Sequence, residues 1–324
     1  MKTNMELRDA AWRRLWADKW FGRLFGGGLL LWVCGQAVQV VLGGILRRLG
    51  VQSWFDYMQT VAQNRHDLTT PIPNLTTNYI VQATSSYVLM MFFSFLMAGI
   101  AAYGGAVILR KCLANDESNW LGEAFGGFKY PFGMLWLFVR FLLILLGWGL
   151  LAILPLGAAL GGAICLAHGL KDAFSIGAVV TMSVLLSVGI GLSLLSYCVP
   201  LYRYRFLWLV KAENPEQSAS ACLRACKSLM KGNLMRSFRL DCSYWKPITL
   251  LLLLMGGVFG FVVLSVVFKG QTPLFAGCVF AAFLMFIASI PLAIVLGQYI
   301  SVGQGFLYLE LKGSQEEPSQ ERKK

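Results

Sequence analysis

No aspartate or glutamate interrupts any of the six long apolar runs of this 324-residue chain, and it has only two histidines, His66 and His168. Carriers driven by protons or ions place carboxylates or histidines at membrane depth, so that class lacks its usual machinery here. His168 falls at the outer end of its run, beside a loop. No glycine-rich phosphate loop occurs, which sets nucleotide chemistry aside. Asp116, Glu117, Glu123 and Asp241 are acidic, but no metal-ligand cluster or nucleophile–base set accompanies them. Asp116 and Glu117 are adjacent, and neighbours along a helix or strand point apart rather than into one site. The eight cysteines are scattered through runs and loops, so no disulfide framework is expected. The expectation is a chain without catalysis, metal or cofactor.

What the chain does have is apolar surface: 57% hydrophobic, 14% charged residues and a mean hydropathy of +0.62. That is too much for a soluble domain of this size. A bilayer span needs about 20 mostly apolar residues. The run Leu24 to Leu46 is 23 residues without a charge, Pro247 to Phe268 is 22, and Gly270 to Leu309 is 40. The runs do not alternate, and they far exceed the roughly 10 residues of a barrel strand. They predict an all-α fold, a polytopic transmembrane bundle of about six spans at 24–46, 80–109, 134–157, 176–200, 247–268 and 275–300. Residues 1–23 form an amphipathic amino-terminal helix, 24–309 a single membrane domain containing a basic helical segment at 201–246, and 310–324 a polar tail.

Lysine and arginine give the orientation. Of 28, 22 fall in the segments that alternate spans leave on one side, with Arg140 inside the third span. Both termini are expected to be cytoplasmic, in the plasma membrane. The net charge of +12 is thus a topology signal, and a nucleic-acid partner is not expected. The polar lead of 23 residues, the length of the first run, and Arg47 and Arg48 directly after it argue against a cleaved signal peptide.

Several local features qualify this frame. Residues 5–21, with Trp12, Trp16 and Trp20 every fourth position beside Arg13, Arg14 and Lys19, read as a helix lying on the membrane surface or as an extension of the first span. In the outer loop, Trp54, Phe55, Tyr57 and Met58 suggest an interfacial segment, and Pro71 and Pro73 an irregular one. Asp56, His66 and Asp67 read as solvated loop residues, and the Asn74 sequon carries no weight. Gly157/Gly161 and Gly256/Gly260 are small-residue pairs that would let helices approach closely. Pro155, Pro200 and Pro291 mark kinks or span ends. Gln36 and Gln39 need partners on neighbouring helices, and Arg140 lies shallow enough to snorkel to the headgroups.

The segment before the fifth span is the most informative polar stretch. Asn214 reads as a helix N-cap, with Pro215 at the first position, Gln217 completing the start and Gly232 the stop. Leu223, Cys226 and Met230 then share a face, edged by Arg224, Lys227 and Lys231, which predicts a membrane-surface helix with a basic rim. Each such cation near anionic lipid contributes on the order of 1 kcal/mol. Cys222 and Cys226, four apart with no histidine near, read as small buried residues. Asp241, amid cations, reads as a salt-bridge partner. The candidate lipid- or partner-binding residues are Arg224, Lys227, Lys231, Arg236, Arg239 and Asp241.

Three patches resemble a bacterial membrane family, domain of unknown function 975. They are Phe125-Gly126-Gly127-Phe128-Lys129-Tyr130; Tyr202-Arg203-Tyr204 leading to Glu213-Asn214-Pro215; and Ser228-Leu229-Met230-Lys231-Gly232-Asn233 followed by Phe238-Arg239-Leu240-Asp241-Cys242-Ser243. Tyr299, Phe306 and Tyr308 add to the likeness. The stretch from Leu156 to Cys198 is longer than that pattern, and Gln298 stands in place of a proline. The resemblance implies architecture and no reaction. The functional expectation is therefore a non-enzymatic integral membrane protein whose basic cytoplasmic helices engage anionic headgroups of the inner leaflet or a protein partner. The alternative is uncoupled passage of a lipid-like or small apolar solute.

Overall fold

The computed structural model describes residues 2–48, 77–169, 176–267 and 272–321. The outer-loop features named above, from Trp54 to the Asn74 sequon, lie outside the described residues. Among those residues every regular element is helical. In hydrocarbon each backbone N–H and C=O must be satisfied within its own segment, so an apolar run long enough to cross becomes a helix.

The long helices are α2 (Trp20–Arg48), α3 (Thr77–Ala114), α5 (Pro131–Gly169), α6 (Ile176–Arg203), α10 (Trp245–Val267) and α11 (Thr272–Glu321). All six are long and apolar enough to cross a membrane, and the chain is a polytopic helical bundle. They pair as α2 with α3, α5 with α6 and α10 with α11. The α3 helix joins the pairs, since it also packs on α5 and α11. Its apolar window is 44% buried, against 6% to 17% for the other five. The remaining helices, α1 (Asn4–Trp16), α4 (Trp120–Ala124), α7 (Leu207–Glu213), α8 (Ala219–Met230) and α9 (Leu234–Ser243), gather at one end. That end also carries Lys2 and the carboxyl-terminal end of α11 and is called the terminal face below.

The α1 helix departs from the surface-helix expectation. A capping box starts it, with Thr3 accepting from the Glu6 N–H and the Glu6 carboxylate accepting from the Thr3 N–H. Leu7, Ala11 and Leu15 are buried against α11, α9 and α3. A 3-10 turn at Ala17–Lys19, with Lys19 at φ 61°, separates α1 from the first span, so it is not an extension of it either. Trp20 anchors the joint: its ring is fully buried and its Nε1 donates to Asn115 Oδ1 at 3.2 Å. Trp12 and Trp16 stay exposed, with Phe132, Trp136 and Trp245, as aromatics at the terminal face. Such rings favour the boundary between headgroups and hydrocarbon.

Close helix approach uses other glycines than those expected. A Cβ at Gly157, Gly161, Gly256 or Gly260 would meet nothing within 4 Å, so these pairs face outward. Contact falls one residue away, where a Cβ added at Gly162 would stand 2.8 Å from Leu185 and one added at Gly257 2.6 Å from Met285. On α3, Gly99 and Gly104 admit the backbone of Met134 and Ala124. Pro155 and Pro200 lie inside α5 and α6 rather than at their ends. Gln39 donates to Ser94 Oγ at 2.8 Å on α3, as its depth requires. Gln36 sits on the exposed side of α2. The Arg140 guanidinium lies over the Trp136 ring at 4.8 Å, one turn nearer the terminal face, the direction snorkelling demands.

Candidate functional site

The basic segment starts later than its sequence suggests. Lys211, 3% exposed, donates to the Pro215 and Gln217 carbonyls at 2.6 and 2.7 Å and holds that stretch as a turn. The helix α8 begins only at Ala219, with Ser218 as its cap, its hydroxyl accepting from the Ala221 N–H at 3.4 Å. The stop is as read, with Gly232 at φ +82°, a backbone conformation that favours glycine.

The apolar face of α8 does not reach the membrane. Cys222, Cys226, Leu229 and Met230 are buried in the protein core with Phe206, Leu240 and Tyr308. Burial pushes the Cys226 thiol up to about 12 and raises Cys222, so both stay protonated near neutral pH. The opposite face of α8 presents Arg224, Lys227 and Lys231, all exposed. Arg239 is exposed on α9. None of these four cations has an acidic partner among the described residues. Beside Arg239, Met235 and Phe238 on α9 and Trp245 at the start of α10 are also exposed. The basic edge thus belongs to α8 and the exposed apolar edge to α9.

Two of the six candidates are committed internally. Asp241 accepts from the Tyr202 hydroxyl at 2.8 Å, from Arg205 Nη1, and from Gln304 Nε2 at 2.7 Å. Gln304 in turn donates to the Ser237 carbonyl at 3.1 Å and accepts from the Ser237 hydroxyl at 2.9 Å. The carboxylate therefore ties α6, α9 and α11 together. Arg236 is paired with Glu310 at 2.9 Å and donates to the Lys2 carbonyl at 3.0 Å, fastening the amino terminus to α11. The Asp241 partners Arg205 and Gln304 carry no sequence signal for this role beyond polarity near span ends.

The carboxylates between α3 and α4 also diverge. Asp116 pairs with Lys111 at 3.1 Å and Glu117 with Arg23 at 3.0 Å. Hydrogen bonds from Ser118, with Lys111 beside them, hold Asp116 down to about 2, and Arg23 lowers Glu117. Among the described residues no three His, Cys, Asp or Glu side chains gather as a metal-binding group.

Two cavities went unread in the sequence. One, about 380 Å³, lies at the terminal face between α3, α4, the 3-10 turn Phe125–Lys129 and α7. Its walls include Tyr103, Arg110, Asn119, Glu123, Lys129 and Glu213. The second, about 400 Å³, lies between α2, α3, α11, the turn at Arg205–Phe206 and the start of α7. It is walled by the small residues Gly28, Ala102, Gly105, Ala106 and Gly305, with Gln298 and Ser301 as polar neighbours. No family model, curated protein or solved structure matches the chain.

Proposed function

We propose that this is a multi-pass plasma-membrane protein with both termini cytoplasmic. Its task is non-enzymatic: the cations of the terminal face engage anionic headgroups of the inner leaflet or a protein partner, of which the headgroups are the favoured reading. One observation carries the reading. Arg224, Lys227, Lys231 and Arg239 are exposed without acidic partners among the described residues, next to the exposed Met235, Phe238 and Trp245. Cations without internal partners keep their full attraction for anionic lipid, on the order of 1 kcal/mol each. Apolar rings beside them add burial at the headgroup boundary. The placement of lysine and arginine supports the cytoplasmic assignment of this face. Kinship with domain of unknown function 975 is part of the proposal and adds architecture without a reaction.

The test uses the full chain in lipid discs of mixed anionic and zwitterionic composition. Replacing Arg224, Lys227, Lys231 and Arg239 together by glutamine should reduce the anionic share of co-purified lipid. An unchanged share sinks the lipid contact. A second reading, uncoupled passage of a lipid-like or apolar solute, is favoured by the cavity beside Gln298, whose amide has no hydrogen-bond partner among the described residues. Solute flux into proteoliposomes above that of protein-free vesicles would support it.

A further inference from the structure

The cavity between α3, α4 and α7 holds polar groups that the lipid contact of α8 and α9 does not use. Tyr103 is only 5% exposed as a whole residue, but it lines the cavity and its hydroxyl, which makes no hydrogen bond to any described residue, is open to it. An accessible hydroxyl with no protein partner is a donor free to meet a ligand that enters the cavity. Gly126 stands beside it: an added Cβ there would be in ordinary contact with that hydroxyl at 3.8 Å, so a longer side chain at this position would project against it.

Asn119, exposed on the same wall, offers a second free donor. Its backbone is left-handed, at φ 30°, a region that asparagine adopts more readily than most residues. Its side chain does not cap α4, and its amide has no hydrogen-bond partner among the described residues.

The charges of the wall leave one cation uncommitted. Glu123 is shared by Arg110 at 3.2 Å and Lys111 at 2.8 Å, and Glu213 is bound by Lys312 at 2.8 Å. Glu216, near the rim, accepts from the Tyr130 hydroxyl at 3.2 Å. Arg110 is further fixed by donating to the Ala212 carbonyl at 3.0 Å, which leaves other donors of its guanidinium for a ligand. Lys129 is exposed and has no acidic partner among the described residues.

We propose that this cavity binds a phosphate-bearing anion, with Lys129 and Arg110 supplying charge and the Tyr103 hydroxyl and Asn119 amide donating hydrogen bonds. Its volume of about 380 Å³ suits a small phosphorylated molecule or a phospholipid headgroup. This site stands apart from the cations of α8 and α9, and either proposal survives the failure of the other.

Calorimetric titration of the full-length protein in neutral detergent, with inorganic phosphate and separately with dihexanoyl phosphatidic acid, tests it. At least one probe should bind, and Lys129→Gln and Tyr103→Phe should each weaken binding about tenfold, equivalent to about 1.4 kcal/mol. Gly126→Leu should fill the cavity and abolish binding. Binding of inorganic phosphate points to a soluble phosphate compound, and binding of the short-chain lipid alone points to a headgroup. The proposal falls if neither probe binds, or if Lys129→Gln and Tyr103→Phe both leave the affinity unchanged. Lys129 is exposed and Tyr103→Phe removes one oxygen, so a folded protein is expected in both cases.

Discussion

At the scale of single residues, a charge is worth what surrounds it. Asp241 and Arg239 lie on the same short helix, yet their removal should have opposite consequences. Asp241 and its partner Arg205 are 19% and 26% exposed, and the carboxylate accepts from three side chains on two other helices or their ends. Asp241→Asn leaves Arg205 without a counter-charge and should destabilise the protein by about 1–3 kcal/mol. Arg239→Gln removes an exposed cation with no internal partner and should stay within about 0.5 kcal/mol. Thermal melts of the two variants in the same detergent check the contrast, and equal melting temperatures would refute it. The sequence showed Asp241 as an ion-pair partner because it stands among cations. It could not show that the cation is Arg205, 36 positions earlier, because that pairing exists only after α6 and α9 pack. The cap of α8 was misread for a similar reason. Asn214-Pro215 has the right local chemistry, but the buried Lys211 takes the carbonyls that follow.

Elements were legible by their apolar length and much less by their faces. Charge-free runs located all six long helices, since hydrocarbon leaves an apolar segment no other way to satisfy its backbone. Which side of each helix meets protein is another matter. In a span apolar all round, lipid-facing and protein-facing residues look alike, so Gly161 could be chosen where Gly162 makes the contact. The helices outside the spans raise the same difficulty, since the apolar faces of α1 and α8 are occupied by α11 and the core rather than by lipid. A substitution series separates the two kinds of glycine. At Gly99 an added Cβ would stand 3.0 Å from the Met134 carbonyl oxygen and 3.4 Å from Phe138 Cβ, with backbone on one side that does not yield. Gly99→Val should therefore cost about 1–3 kcal/mol through overpacking. Gly161→Val meets nothing within 4 Å and should leave the melting temperature close to that of the parent. A larger loss at Gly161 than at Gly99 would overturn the assignment of α3 as the joining helix.

For the whole molecule, orientation is the property on which the lipid-binding proposal turns. The three helix pairs bring Lys2, the carboxyl-terminal end of α11 and the segments around α4 and α7–α9 to one end. They do not by themselves say which compartment that end faces. The proposal assigns it to the cytoplasm on the bias of lysine and arginine, because cation-rich segments are retained on that side during insertion. Cysteine accessibility reads the outcome directly. Cys242 is exposed on α9 at the terminal face, whereas Cys226 is buried with its thiol pushed up to about 12 and supplies almost no reactive thiolate near neutral pH. In a variant keeping only these two cysteines, a membrane-impermeant maleimide added to intact cells should label neither. In inside-out vesicles it should label Cys242 and leave Cys226 untouched until the protein is unfolded. Labelling of Cys242 from the cell exterior would place the basic face against the outer leaflet and remove the electrostatic ground for headgroup binding by Arg224, Lys227, Lys231 and Arg239. Labelling of Cys226 in folded protein would instead mean that α8 lies on the membrane surface with its apolar face undocked, as its sequence alone suggests.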